Sequence, residues 1–185
     1  MVIVDTGLLT PHTVAAVRGG DRGAFERLFR ATYADLADYA ARIVASRDAA
    51  EDVVQDVFIA VWNRRDALPD ADKLASYLYR AVRNRALNYL RAQRGTESLI
   101  DSDGGPAIAP EADDALAADE VQTALTSALG ALSPRAREVF LLSREQHLTY
   151  NEIAVTLEIS VKTVETLMGR ALRMLREALA DRLRG

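Results

Sequence analysis

The sequence has 185 residues, 49% of them hydrophobic, and its 27 acidic and 23 basic residues leave a net charge of −4. This length allows one ordinary domain or two small ones with apolar cores. The absence of cysteine and the presence of only two histidines, far apart in the chain, exclude thiol chemistry and an ordinary zinc site, so we expect no metal and no cofactor.

Composition predicts a helical protein. Aromatic residues make up only 6% of the chain, and glycine and proline are few. This is typical of an all-α fold. The first residues lack a basic run ahead of an apolar one, and no segment approaches the ~18 unbroken apolar residues of a membrane span. We therefore expect a cytoplasmic protein with no membrane insertion.

Residues 1–12 are predicted to be a flexible N-terminus, and a first helical domain is predicted for residues 13–94. Apolar residues recur at helical spacing in two consecutive segments of that domain. They are Phe25, Leu28, Phe29, Leu36, Tyr39, Ala40 and Ile43 in one segment, and Val53, Val54, Val57, Phe58, Val61 and Trp62 in the other. Each stripe predicts a helix that buries one face in a shared core.

The second of these helices has an acidic face opposite its apolar stripe, because offsets of 3, 4, 7 and 11 return to one side of a helix at ~100° per residue. The residues on that side are Asp52, Gln55, Asp56, Ile59 and Asn63. A solvated face is one interpretation. A protein-docking face is the other, because an isoleucine among carboxylates gives the apolar centre and polar rim of an interface.

Segment 76–94 carries five arginines and no acidic residue, and Lys73 precedes it. Most of these basic residues share one side of a helical wheel with two asparagines and a leucine. The candidate DNA-binding residues of this segment are Lys73, Arg80, Arg83, Asn84, Leu87, Asn88, Arg91 and Arg94. The arginine guanidinium group can hydrogen-bond to phosphate oxygens, and the asparagine amide can hydrogen-bond to base edges. A solvated basic helix is the alternative, although no acid four residues away balances the arginines.

Residues 95–120 reverse the sign of the charge with eight carboxylates, and they include prolines and glycines without sustained periodicity. Such a segment buries too little apolar surface to offset the entropy of ordering it. We predict a flexible acidic linker between two small helical domains, 13–94 and 121–185.

The second domain contains a helix-turn-helix pattern. Thr149 and Glu152 form a capping box, and Ser160 is a natural N-cap for a second helix after a short turn at Glu158 and Ile159. The second helix would enter the major groove of DNA. Its candidate DNA-binding residues are Ser160, Lys162, Thr163, Thr166, Arg170 and Arg173. A helical hairpin that does not bind DNA is the alternative.

Segments 20–44, 48–64 and 74–94 resemble region two of the extracytoplasmic-function (ECF) sigma factors, and segment 131–179 resembles their region four. The resemblance implies an initiation subunit that directs promoter-specific transcription. It implies that the acidic face docks on core RNA polymerase, the basic helix engages the minus-ten element and the helix-turn-helix engages the minus-thirty-five element. It also implies an anti-sigma factor as a partner. The family often has glycine where this chain has Glu158, so the turn must avoid a left-handed conformation or bear strain.

Two other classes of protein, a transcription activator and an enzyme, are alternatives to a sigma factor. The helix-turn-helix also resembles the output domain of response-regulator activators, but residues 1–120 show no strand pattern for a receiver domain. An enzyme would need a catalytic cluster, and the carboxylates lack a neighbouring histidine, cysteine or glycine-rich phosphate loop. The sequence therefore favours a sigma factor that is not an enzyme.

Overall fold

The structure is a computed structural model that describes residues 9–93 and 127–183. The described residues contain helices and no strand, which confirms the all-α prediction. The helices include α1 (Pro11–Arg18), α2 (Arg22–Val44), α3 (Arg47–Asn63), α4 (Ala71–Gln93), α5 (Pro134–Arg144), α6 (Tyr150–Leu157) and α7 (Val161–Leu183), and a 3-10 turn at Arg65–Ala67 separates α3 from α4. Residues 127–131 are also helical. The acidic linker lies outside the described residues. No helix among those described is long and apolar enough to cross a membrane.

Most helices begin at a side chain that accepts a backbone hydrogen bond from the first turn. The N-caps are Thr10 for α1, Asp21 for α2, Ser46 for α3, Ser133 for α5, Thr149 for α6 and Ser160 for α7. The two caps predicted in the second domain, Thr149 and Ser160, are among them, and the capping box of Thr149 and Glu152 is complete. Helix α1 starts at Pro11, so helical structure begins two residues before the predicted domain boundary.

The first group of helices, α1 to α4, packs around a core of buried aliphatic residues. Leu28 and Leu36 of α2, Val54 of α3, and Leu74 and Val82 of α4 are at most 1% exposed. Aromatic rings extend the contact between α2 and α3, with the Phe25 ring centroid 5.9 Å from that of Phe58 and 4.9 Å from that of Trp62. The apolar stripes predicted from periodicity therefore form the core.

The second group, α5 to α7, contains the helix-turn-helix. Leu142 of α5, Ile153 of α6 and Val164 of α7 are completely buried. These residues belong to the same apolar cluster as the core of the first group, because α6 packs against α4. The sequence left open whether the two domains touch, and in the structure they do.

Candidate nucleic-acid interface

The predicted DNA-binding residues of helix α4 differ in their exposure to solvent. Lys73, Arg80, Asn84, Asn88 and Arg91 are exposed, and Leu87 is partly buried. Arg83 is buried, and Arg94 lies outside the described residues. The predicted face is therefore open along its C-terminal half and interrupted near its middle.

Arg83 corrects the helical-wheel prediction that the arginines share one exposed side. Its residue exposure is 9%, and its Nε donates a hydrogen bond of 2.8 Å to Oε1 of Glu138 in α5. Glu138 is completely buried, and it also accepts hydrogen bonds from the Tyr39 hydroxyl at 2.9 Å and from Arg135 at 3.1 Å. Arg83 projects into this network because the helix-turn-helix domain covers that part of α4, which a wheel of one helix cannot show.

The electrostatics of the network follow from its burial. Desolvation is the largest influence and opposes the charge on Arg83. The charge and hydrogen bond of Glu138, with smaller contributions from Tyr39 and Glu158, together outweigh it, so the pKa of Arg83 is raised. Desolvation, followed by the negative charge of Glu138, also holds the pKa of Tyr39 well above its ordinary value. Tyr39 is therefore a neutral hydrogen-bond donor and Glu138 the acceptor. A buried ion pair with additional hydrogen bonds is costly to break by removing one partner.

Further polar contacts join the two groups of helices, and we call this contact region the junction. Arg80 of α4 pairs with Glu158, which follows α6. Arg42 of α2 pairs with Glu145 at 2.7 Å. The Tyr79 hydroxyl donates a hydrogen bond to Oε1 of Gln146. The two arginines nearest the middle of α4, Arg80 and Arg83, thus both face carboxylates of the second domain.

Glu158, which stands where ECF sigma factors often have glycine, has a left-handed backbone conformation. Its φ is 57° and its ψ is 43°, where a Cβ atom is strained and glycine is favoured. The turn therefore bears strain at Glu158, and the carboxylate that glycine would lack is the one that pairs with Arg80.

The acidic face of α3 is exposed as predicted. Its residues Asp52, Gln55, Asp56, Ile59 and Asn63 are all exposed, and Ile59 is 60% exposed at the centre. A groove of about 480 Å³ runs between this face and the open part of α4, and Ile59, Asn63, Asn84 and Asn88 line it. The two predicted sites are therefore adjacent.

Arg85 is a residue of this groove that sequence reasoning did not select. Its position on the wheel lies toward the apolar side of α4, although it belongs to the basic segment. In the structure its Nε donates a hydrogen bond of 3.1 Å to Asp56 on α3. One of the carboxylates of the acidic face is therefore already paired, and Arg85 joins α4 to that face.

The predicted recognition residues of α7 are all exposed: Ser160, Lys162, Thr163, Thr166, Arg170 and Arg173. Some of their polar atoms have local partners. Ser160 caps the helix by accepting a 3.1 Å hydrogen bond from the Thr163 backbone, and the Thr166 hydroxyl donates to the Lys162 carbonyl at 2.9 Å. Lys162, Arg170 and Arg173 supply the positive charge of this face. Its chemistry suits phosphates and base edges.

The described residues contain no group of three or more histidine or acidic side chains that could hold a metal ion. The exposed polar faces of α3, α4 and α7 instead offer surfaces for macromolecules. Carboxylates around an isoleucine suit a protein, and arginine, lysine and asparagine suit a nucleic acid.

Comparisons with known proteins match each of the two groups of helices to a family model. Residues 28–96 match the family model for sigma-70 region 2, and residues 122–175 match that for sigma-70 region 4. The chain is 30% identical over 162 residues to the RNA polymerase sigma-E factor of Streptomyces avermitilis, with 85% of this chain and 86% of that protein covered. It is 27% identical to the ECF RNA polymerase sigma factor SigW of Bacillus subtilis, with 94% and 98% covered.

A solved structure has a similar fold. CnrH of Cupriavidus metallidurans, solved in complex with the cytosolic domain of CnrY, matches with a TM-score of 0.64 and 26% identity over 94% of this chain and 98% of that one. These relatives favour the sigma-factor interpretation over the response-regulator activator. The chain belongs to the sigma-70 family and is an RNA polymerase sigma factor of the ECF class, which directs promoter-specific transcription initiation.

Proposed function

We propose that this sigma factor docks on core RNA polymerase through the acidic face of α3, engages the minus-ten element with α4 and engages the minus-thirty-five element with α7. The observation that carries the proposal is the groove between α3 and α4. It brings Ile59 and Asn63 of the docking face together with Asn84 and Asn88 of the nucleic-acid face. A surface of this kind holds promoter DNA beside the polymerase subunit on which the factor docks.

The docking role of α3 is supported by the exposure of Ile59. An isoleucine with 60% of its surface exposed lies outside the buried core of its own domain, and carboxylates lie on the same helix side. Burying such a residue against a partner gains the free energy of removing its apolar surface from water. The surrounding polar groups then form the rim of the interface.

The nucleic-acid role of α4 is supported by its open C-terminal half. Asn84 and Asn88 are exposed one turn apart, and the Asn88 side chain accepts a 2.8 Å hydrogen bond from Arg91. Amide groups bind base edges and arginine binds phosphate, so about two turns of helix carry both kinds of contact. Lys73 and Arg94 extend the predicted face at its two ends.

The role of α7 is supported by its place in the helix-turn-helix. Its apolar side is buried through Val164, Met168 and Ala171, which fixes the opposite side toward the solvent. Lys162 and Arg170 lie on that exposed side, in the half of the helix that such motifs place in the major groove.

The chain acts without catalytic chemistry of its own, as a cytoplasmic binding subunit. We also propose that an anti-sigma factor regulates it. The support is that the relative CnrH was solved in complex with the cytosolic domain of CnrY and that its fold is similar to that of this chain.

The test of the docking proposal is Ile59→Arg, measured as binding of the full chain to core RNA polymerase by gel filtration and fluorescence anisotropy. We expect affinity to fall at least ~10-fold, as for a central interface residue. The melting temperature stays unchanged because Ile59 lies outside the core. Ala34→Arg, which adds the same charge at an exposed position of α2, is the matched control. Unchanged polymerase affinity in a folded Ile59→Arg chain would refute the docking proposal.

A further inference from the structure

Glu165 is an acidic residue on the side of α7 that otherwise suits DNA. At ~100° per residue it lies within about 100° of Lys162, Thr166, Gly169 and Arg173 on the helical wheel. All of these residues are exposed. A carboxylate on such a face repels DNA phosphates, so it lowers the affinity for DNA unless a hydrogen-bond donor on the DNA compensates for it.

The Glu165 side chain has no partner in the part of the chain that the structure describes. Ion pairs on a helix form between residues three or four positions apart. Lys162 is the basic residue at that spacing, but no ion pair joins it to Glu165, and the position four residues beyond Glu165 is Gly169. The carboxylate is therefore available to a group outside the chain.

Gly169 leaves open space one turn beyond Glu165. A Cβ atom added at Gly169 would meet nothing within 4 Å among the described residues apart from its own helical backbone, and the backbone at this residue is not left-handed. Neither packing nor backbone conformation thus requires glycine, which destabilises a helix interior relative to alanine. The absent side chain allows a flat surface, such as the edge of a base pair, to approach the helix beside the carboxylate.

The chemistry of a carboxylate limits what Glu165 can recognise in a major groove. An ionised carboxylate only accepts hydrogen bonds. Guanine and thymine present acceptors at their major-groove edges, and adenine presents the N7 acceptor beside its amino group. Cytosine presents its N4 amino group as a donor with no acceptor beside it on the same base. Cytosine is therefore the base that a glutamate selects.

We propose that Glu165 selects cytosine in the minus-thirty-five element by accepting a hydrogen bond from the cytosine amino group, and that Gly169 gives the base pair room to approach. The proposal deepens, and rests on, the role proposed for α7. Lys162 and Arg173 bind phosphates, whereas Glu165 and Gly169 contact the base pair. Repulsion between the carboxylate and the DNA then becomes a source of specificity, because only a site with cytosine at this position offsets it.

The experiment selects promoters with holoenzyme assembled from the full chain and core RNA polymerase. A promoter library randomised across the upstream element is bound, recovered and sequenced for the parent, Glu165→Gln and Glu165→Ala. Glu177→Gln, which removes an exposed charge about three turns farther along α7, is the matched control. Affinities are then measured for the selected promoter and for the same promoter with the cytosine replaced by thymine, whose groove edge has an oxygen in place of the amino group.

We expect the parent and the Glu177→Gln control to prefer cytosine over thymine at one position of the upstream element by about 10-fold. Glu165→Gln should lose that preference and favour adenine, because a glutamine amide pairs with both the amino group and N7 of adenine. Glu165→Ala should bind the two promoters within about 2-fold of each other. Its affinity for a random-sequence duplex should rise, because the repulsion of phosphates is lost.

Gly169→Ala separates the close approach of DNA from helix stability. Alanine favours the helix and should raise the melting temperature by about 2 to 4 °C. Its methyl group should nevertheless crowd the contact and weaken binding to the cytosine promoter by roughly 5-fold or more. Gly130→Ala is the control, since Gly130 is an exposed helical glycine outside α7 at which an added Cβ also meets nothing within 4 Å among the described residues. This control should leave promoter binding unchanged.

The failure of this proposal and the failure of the role proposed for α7 give different results. An unchanged cytosine preference in folded Glu165→Gln, or no cytosine preference in the parent, would overturn the proposal, and an altered upstream preference in Arg170→Ala would leave the role of α7 in place. If Arg170→Ala also leaves the upstream preference unchanged, the role of α7 itself is refuted. Undiminished promoter binding by Gly169→Ala would refute the close approach at Gly169.

Discussion

The surfaces proposed to bind DNA on α4 and on α7 differ in whether their basic residues are exposed or contact other parts of the chain. On α7, Lys162, Arg170 and Arg173 are all exposed, and the apolar side of the helix is buried within its own domain. On α4, Arg83 is buried against Glu138, and Arg80 is paired with Glu158. The face of α7 is thus available in the free chain, whereas that of α4 is shared with an intramolecular contact.

The difference shows that charge balance along one helix does not reveal the partners of its residues. The basic segment has no acid spaced to pair within α4, which favoured a ligand-binding face. In the structure, acids of three other parts of the chain supply the partners: Asp56 for Arg85, Glu138 for Arg83 and Glu158 for Arg80. An unbalanced helix therefore indicates either an external ligand or a tertiary contact, and three arginines of α4 have tertiary partners.

The largest expected contrast between the two helices is in stability. Arg83→Met leaves Glu138 buried with fewer partners, so we expect a loss of about 3 kcal/mol in the free energy of unfolding, limited by the cost of separating the domains. Arg173→Met removes an exposed charge and should change stability by less than ~0.5 kcal/mol. Urea denaturation of the full chain measures both. Equal, small effects would place Arg83 in an environment as exposed as that of Arg173.

The next contrast concerns DNA recognition by the factor assembled with core polymerase. Arg170→Ala should change which upstream element is preferred, at roughly 1 to 3 kcal/mol for a lost base contact. Arg91→Ala should weaken promoter complexes similarly across sequences and lower the salt dependence by about one counterion. Binding to a panel of promoters with altered upstream elements, at several salt concentrations, separates the two. A change of sequence preference with Arg91→Ala would contradict the phosphate role.

A smaller effect is expected at the turn between α6 and α7. Glu158→Gly relieves the left-handed strain, a gain of about 1 kcal/mol, and removes an exposed ion pair worth about 0 to 1 kcal/mol. The net change in stability should therefore stay within about 1 kcal/mol of zero. Thermal unfolding measures it, with Glu158→Gln as the control that loses the charge but keeps the strain. A large loss of stability with glycine would mean that Glu158 supports the fold beyond this ion pair.

The smallest expected effect is a pH dependence at Asp35 in α2. Burial, and next the like charge of Asp38, raise the pKa of Asp35, while His147 of the second domain opposes the shift. A carboxyl whose pKa is raised by folding favours the folded state at low pH, and this contribution is lost as the pH rises through the folded pKa. Asp35→Asn should therefore be slightly more stable than the parent at neutral pH.

The difference should disappear below about pH 3, roughly one unit under the ordinary pKa of an aspartate, where the parent carboxyl is protonated in both states. Urea midpoints at neutral and acidic pH measure it, and Asp48→Asn at an exposed position is the control. The Oδ2 atom of Asp35 is buried with no hydrogen-bond partner among the described residues, which is consistent with this sign. A parent chain more stable than Asp35→Asn at neutral pH would contradict it.

The helices and the caps of the second domain could be predicted from sequence because they depend on residues close together in the chain. The apolar stripe of α3 and the capping box of α6 are examples, and both are present in the structure. The exposure of the docking face and of the α7 face also followed from periodicity, since each lies opposite a stripe that is buried. Periodicity predicts which side of a helix is turned outward from its own domain.

The junction could not be predicted, because it joins residues far apart in the chain. Tyr39 and Glu138 are separated by 99 positions, and Arg80 and Glu158 by 78. A wheel for α4 places Arg83 beside Arg80 but contains no information about a second domain over that side. Glu158 carried a local signal, because it stands where the family often has glycine, and its side chain pairs with Arg80 of the first domain.

The chemical accessibility of the arginines of α4 tests this difference between the two surfaces most directly. The free, full-length chain is treated with phenylglyoxal, and the modification rate of each arginine is measured by mass spectrometry. The structure predicts that Arg91 and Arg173 react rapidly, whereas Arg83 is protected at least ~10-fold because its modification requires the junction to open. Glu138→Gln should remove that protection. Modification of Arg83 in the parent chain as rapid as that of Arg91 would contradict the account.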